Sequence, residues 1–300
     1  MHPFPVVAVR ISSLHKVGAR TCARLRVRFR SVSLFVLAVL TVSSLASADQ
    51  GRLEPVPEGL TGHEVSRRAD DNLRSDRTYM EARMTVESPR LSAPRKIRFI
   101  SWEDRSAQRS FIRIREPAKD SGTGFLKLHP NLWMYVPRVE RTMRVPPSMM
   151  LQSWMGSDFT NDDLVRESSE VEDYDHELLG IEPALAVGGE SEETRRALVL
   201  KYIPHEDAAV VWGKIIAWVD IETYAPLRQE FYDEDGTRLR ELVFSEHKQD
   251  GERSVPHRWT LTPLDKKGHS TSIEVIEMRF DVELDESVFT KRHLQKARER

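Results

Sequence analysis

Cysteine is nearly missing: the 300 residues contain one, Cys22. One thiol close to the N-terminus excludes a disulfide framework and any Cys-x-x-Cys metal or redox motif. Motifs that carry chemistry are missing too. His63-Glu64 is followed by Val-Ser-Arg, so there is no His-Glu-x-x-His. There is no Gly-x-Ser-x-Gly, which excludes a nucleophile elbow. Gly122-Thr123-Gly124 lacks the last glycine and the strand–helix setting of a dinucleotide site. The histidines are scattered without a close pair, which argues against zinc. Asp162-Asp163 and Asp173/Asp175 read as the solvated surface of an acidic chain rather than as paired acid–base groups. No catalytic residue, metal or cofactor is expected. No apolar run reaches the ~20 residues of a membrane-spanning helix.

What is present starts with charge asymmetry. Residues 1–30 hold seven basic side chains and no acidic one. Ser31–Ala48 is then apolar and closes on Ala46-Ser47-Ala48. A basic region, an apolar run and an A-x-A site are the pattern of a secretory signal peptide. Expected boundaries are a signal peptide over 1–48, a flexible polar leader over 49–60 and one domain over 61–300. With the first 48 residues gone, the seven basic side chains leave the total of 45 Lys and Arg against 47 Asp and Glu, so the remainder carries −9. That charge argues against nucleic acid, which selects basic surfaces. No cysteine follows the apolar run to take a lipid. The expected product is a soluble, monomeric periplasmic protein.

Periodicity sets the fold class. Thr61–Leu73 predicts one helix, capped by Thr61 with Glu64 three residues on. Val65, Ala69 and Leu73 make a narrow apolar stripe. The period then changes to two. Tyr79–Ser88, Arg95–Glu103, Arg109–Glu116 and Phe125–Leu128 read as strands, and alternation of this kind marks an antiparallel sheet. Glu170–Leu179 is a further strand candidate, with Ile181–Glu193 a loop. Six more strands follow: Arg196–Ile203, Gly213–Asp220, Ala225–Tyr232, Leu239–His247, Val255–Pro263 and Ser270–Phe280. Asp235-Gly236 and Asp250-Gly251 lie in their links, and Asp-Gly is a strong hairpin signal. The expectation is mainly β: a large curved antiparallel sheet of ten to twelve strands, an incomplete barrel with a few short helices capping an apolar cavity. The tail Thr290–Arg300 is expected to start helical and then fray.

The stretch Asn131–Leu164 escapes this pattern. It opens with a strand, Leu132–Val136, and continues through a basic turn with Arg138, Arg141 and Arg144. A Pro-Pro pair comes after it, then at most two helical turns over Met149–Met155. It ends in a Gly-Ser-Asp turn, with Asp158 as the expected cap of the next element. Long irregular connections in compact domains are usually functional, and Met suits surfaces that take varied apolar partners. Trp133, Tyr135, Met150, Trp154, Met155 and Phe159 are therefore the expected lining or lid of a ligand cavity. Arg138 and Arg141 are the expected polar contacts at its mouth. For Trp102, Trp218 and Trp259, packing in the β core is the expected role.

Several blocks carry a resemblance. They are Gly122–Leu126 (GTGFL), Leu132–Pro137 (LWMYVP), Trp154–Thr160 (WMGSDFT) with Asp163-Leu164, Lys214–Arg228, and Asp285–Arg292 (DESVFTKR). Together they resemble the outer-membrane lipoprotein-sorting proteins of LolA/LolB-like fold, in a less characterised branch, over about residues 60–294. Trp154 stands where that branch has Phe, and Asn161-Asp162 replaces a Tyr-Glu pair. The resemblance implies a strongly curved sheet capped by helices and a loop, no catalysis and no cofactor. It implies a carrier that holds acyl chains of lipoproteins or other lipid-like cargo for sorting to the outer membrane. It also implies an alternative: an accessory module of an inner-membrane exporter of the resistance-nodulation-division type, with no small ligand. A hydrolase acting on envelope components would need a triad that only the fold could assemble.

Overall fold

The computed structural model describes residues 53–165, 169–186, 194–208 and 210–296. The signal-peptide expectation for 1–48 lies outside them. A helix, α1 (Gly62–Leu73), precedes thirteen strands: β1 (Arg77–Glu87), β2 (Arg95–Asp104), β3 (Arg109–Glu116), β4 (Gly124–Leu128), β5 (Asn131–Val136), β6 (Arg141–Val145), β7 (Tyr174–Ala186), β8 (Thr194–Pro204), β9 (Lys214–Asp220), β10 (Pro226–Tyr232), β11 (Arg238–Asp250), β12 (Arg253–Pro263) and β13 (Ser270–Arg279). Short helices α2 (Asn161–Val165) and α3 (Lys291–Leu294) complete it, with 3-10 turns between.

All strands join one antiparallel sheet in the order β6-β5-β4-β3-β2-β1-β13-β12-β11-β10-β9-β8-β7. The chain builds outward from β1 to β6, restarts at the far edge with β7, and returns until β13 pairs with β1. β6 and β7 are the two end strands and do not pair with each other, so the sheet is curved and unclosed, as a sheet of more than about ten strands must be if it does not seal. This topology has one unavoidable consequence. The link from Val145 to Tyr174 has to cross the whole sheet.

The inner face is the one this link crosses. Ala82, Met84 and Val86 of β1, Ile97 and Phe99 of β2, and Ile273 and Val275 of β13 form its main core. A second core lies under α1, where Val65 and Ala69 meet Leu198, Leu200, Tyr202, Ile215 and Phe231. Thr61 caps the helix by accepting from the Glu64 N–H at 3.2 Å, as the spacing predicts. A Cβ on Gly62 would stand 2.8 Å from the His176 carbonyl, so glycine lets the first turn sit directly on β7. The outer face carries two apolar clusters: near β2–β5, Phe111, Leu126 and Tyr135 pack under Val288, Phe289 and Leu294 of the C-terminal segment, and near β7–β10, Leu185, Ala197, Val199, Trp218 and Leu227 pack beside Leu53. Elsewhere it carries half-exposed cross-strand pairs such as Arg83–Glu274 at 3.2 Å, worth at most about 1 kcal/mol each.

Several expectations are corrected. The strands number thirteen among the described residues, because the basic turn after Val136 is itself a hairpin: a 3-10 turn at Pro137–Val139 leads into β6. β7 starts later and runs longer than expected, to Ala186. The leader is pinned at Glu54, whose N–H donates to the Ile181 carbonyl at 2.8 Å and whose carbonyl accepts from Ile181 at 2.9 Å. The tail does start helical, as expected, in α3 with Leu294 fully buried, and its last residues, 297–300, lie outside the described residues.

Candidate functional site

Over its described residues, 146–165 and 169–173, the crossing segment has almost no regular structure, yet it makes several backbone hydrogen bonds within itself. Pro147–Met149 is a single 3-10 turn, and no further helix forms before Asn161. Ser153 and Thr160 bridge, and the Trp154 N–H donates to the Phe159 carbonyl at 2.8 Å. Met155 (φ 51°) and Gly156 (φ 75°) turn the chain through the left-handed region, which glycine enters without strain. α2 begins with a reciprocal capping box: the Asp163 N–H donates to Thr160 Oγ1 at 3.1 Å, and the Thr160 N–H to Asp163 Oδ2 at 2.8 Å. Thr160 is therefore the cap, not Asp158. Asp158 instead fastens the loop to β13, accepting from Thr271 Oγ1 at 2.7 Å while its own N–H donates back at 3.0 Å.

Four of the six expected lining residues come together on the inner face. Trp154 is fully buried, with ring centroids 5.5 Å from both Phe99 and Phe125. Phe159 is buried beside it, and Met150 and Met155 pack half-buried against the same core. The indole Nε1 of Trp154 is buried with no hydrogen-bond partner. Trp normally finds one when buried, and an unmet donor costs about 1–3 kcal/mol.

The other two lie elsewhere. Trp133 and Tyr135 point to the outer face, under the C-terminal segment, with Lys291 Nζ 3.3 Å from the Trp133 ring centroid. Strand alternation is the reason: Leu132 and Met134 take the inner face, so their neighbours cannot. Arg138 and Arg141 stand at the β5–β6 turn, toward solvent, and line no part of the inner-face cavity.

The cavity, about 140 Å³, opens between α1 and the β8–β12 half of the inner face. Its floor includes Tyr202, Ile215, Phe231, Leu242, Trp259 and Leu261. Its roof is Ala69 and Leu73 of α1 with Phe159, Asp163, Glu170 and Val171 of the crossing segment. A smaller space of about 60 Å³ adjoins it, sharing Leu73, Asp163 and Trp259. Together they fall below the ~300 Å³ at which pockets for drug-sized ligands begin.

One charged group sits on this apolar floor in a row of inward residues, Arg240, Leu242 and Phe244. Arg240 donates to both carboxylate oxygens of Asp163 at 2.7 Å. Its guanidinium lies 4.3 Å from the Trp212 ring centroid and 4.2 Å from that of Phe231, and its Nε has no partner. Burial pushes the Asp163 carboxyl up, but Arg240 and the Thr160 donors outweigh it and hold the group below its usual range. Burial pushes the neighbouring Tyr174 and Tyr202 hydroxyls well up, so both stay neutral. Neither Arg240 nor Trp212 is among the residues expected to form the site. The inward alternation on β11 is the signal that points to Arg240.

The fold, a curved and unclosed antiparallel sheet with a covered inner face, has counterparts among known proteins. A family profile described only as an uncharacterized protein family matches residues 106–296, more than half of the chain, and the chain belongs to that family. The fold resembles a solved domain from Vibrio parahaemolyticus assigned to the outer membrane lipoprotein-sorting proteins, at 27% identity and TM-score 0.65, covering 78% of this chain and 98% of that one. It also resembles a DUF1329 family protein from Desulfovibrio piger, at 23% identity and TM-score 0.67 over 78% and 97% of the two chains. A LolA superfamily protein from Nitrosomonas europaea matches at 21% identity and TM-score 0.63 over 78% and 99%. None of the curated proteins matches the chain. The resemblance carried by the GTGFL, LWMYVP and WMGSDFT blocks is thereby borne out. No helix among the described residues is long and apolar enough to cross a membrane.

Proposed function

We propose that this protein is a soluble, monomeric, non-enzymatic periplasmic carrier that takes the acyl chains of a lipoprotein or other lipid-like cargo against its inner face, with the crossing segment as a displaceable cover. The observation that carries this reading is Trp154: the largest side chain of the cover fills the concavity, and its indole N–H gains nothing polar in return. Met150, Met155 and Phe159 add adaptable apolar surface around it. The remaining space of about 140 Å³ is a closed state, and cargo enters by taking the place of Trp154. Each CH₂ buried from a chain contributes up to ~0.8 kcal/mol, so one long acyl chain suffices to offset the displaced contacts. The basic N-terminal region, the apolar run and Ala46-Ser47-Ala48 support export, and the lipoprotein-sorting name of the Vibrio neighbour supports the cargo class.

The same filling supports a second reading, in which the protein is a docking module of an inner-membrane exporter and Trp154 is permanent core. Native mass spectrometry on protein purified without detergent, with and without added palmitoylated lipopeptide, decides between them. A bound mass that appears on addition is the expected result. A clean apo mass with no uptake overturns the carrier and leaves the docking module.

A further inference from the structure

An acyl-chain carrier also meets the polar end of its cargo, and Arg240 is placed to receive it. An Arg at an inward position of an apolar row is costly: taking a charge out of water costs several kcal/mol, and apolar replacements of buried ion pairs are often neutral or stabilising. Its partner is not a fixed part of the sheet. Asp163 belongs to the crossing segment, as do Asp162 and Glu170, the other carboxylates at this end of the cavity. The remaining lining carboxylate, Asp70 on α1, is bonded to Arg74 and Arg105. When the cover lifts for cargo, its three acids leave with it. The floor then presents a cation held between the rings of Trp212 and Phe231.

Resting on the carrier reading, we propose that Arg240 is the head-group site: it binds the carboxylate or phosphate of a single-chain anionic amphiphile in the position that Asp163 occupies in the closed state. The two 2.7 Å bonds to Asp163 already show the fork geometry that such a group needs. The unpartnered Nε leaves a third donor for a further oxygen. The flanking aromatic faces hold the guanidinium in place whichever anion is present. Asp163 is then an internal stand-in for the cargo head group, and loading exchanges one carboxylate for another without leaving Arg240 bare.

The test titrates the purified protein with palmitate, palmitoyl lysophosphatidate and the neutral palmitoyl glycerol, read by tryptophan fluorescence. The expected result is that at least one anion binds more tightly than the neutral ester, by on the order of tenfold to a hundredfold. A preference for palmitate identifies a carboxylate head group, and a preference for lysophosphatidate a phosphate. Asp163→Asn removes the competitor and should raise the anion-to-neutral ratio further. Arg240→Met combined with Asp163→Asn replaces the pair without leaving a buried charge and should bring the ratio to about one. A urea unfolding curve checks that the double variant is folded. Equal affinity for all three amphiphiles in the unsubstituted protein, or an unchanged ratio in the folded double variant, overturns the head-group site but leaves the carrier. Failure of all three to bind overturns both.

Discussion

Two segments cover the two faces of one sheet, and they are built differently. The C-terminal segment lies on the outer face and is locked by polar bonds. Arg113 of β3, itself buried, donates to the carbonyls of Gly122 at 2.8 Å, His293 at 2.7 Å and Leu294 at 3.0 Å. Phe289 and Leu294 are buried under it, and Arg109 binds Glu286 while stacking 4.4 Å from the Phe289 ring centroid. The crossing segment lies on the inner face. It is fastened by the Arg240–Asp163 pair, by the Thr271 hydroxyl at Asp158, by Gln229 and His176 at Glu170, and by apolar packing, with an unmet indole donor and empty space beside it. Lifting the first cover orphans backbone groups that no ligand can serve. Lifting the second exposes an apolar face and a guanidinium, both of which a lipid can satisfy.

Substitutions should separate the two covers. Arg113→Ala removes the donor to the buried carbonyls of Gly122 and Leu294 and one of the donors to His293, and at about 1–3 kcal/mol for each stranded carbonyl it should cost on the order of 4 kcal/mol in urea unfolding. Added palmitoyl amphiphile should not restore it beyond the shift seen with the unsubstituted protein. Trp154→Ala should cost less, about 3 kcal/mol, as a large-to-small change in a core. Here amphiphile should recover more stability than it gives the unsubstituted protein, because it binds the folded state and fills the vacated space. Equal ligand-induced shifts in both variants would break the distinction between the covers.

The sheet is legible in the sequence because its signal is local. Alternation and Asp-Gly links place nearly every strand, and Thr61 with Glu64 places α1. What alternation cannot show is which face is inner. Leu132 and Met134 are apolar, and so are Trp133 and Tyr135. Only the order of strands assigns one pair to the core beneath the cover and the other to the C-terminal segment. Composition points to 131–164 as one functional stretch. Its function divides at β6, because topology sends 131–145 into the sheet and only the rest across it. β6 itself is hidden: as an edge strand it exposes Arg141, Met143 and Arg144, so it reads as a basic turn. Arg240 is legible in period but not in meaning. An Arg in line with Leu242 and Phe244 looks like a break in a strand until Asp163, 77 positions away, is seen to meet it.

The smallest effect expected is electrostatic, and it distinguishes the covers by solvent access. Both hold carboxylates below their usual range. Asp163 is buried against Arg240, whereas Glu286, bonded to Arg109, stands in solvent. A carboxyl whose folded value lies below its unfolded one binds more protons when unfolded. Its stabilisation is therefore complete above the unfolded value, about 3.8 for Asp163, and fades as pH falls through the folded value. The difference in urea midpoint between the unsubstituted protein and Asp163→Asn should thus be constant from pH 7 to 5 and shrink below about 4. At 1 M salt the Debye length is about 3 Å, so the exposed Arg109–Glu286 contribution should be screened away. The Asp163 contribution, sheltered under the cover, should keep most of its size. A salt response as large for Asp163→Asn as for Glu286→Gln would mean that water already reaches the ion pair, and that the crossing segment stands open before any cargo arrives.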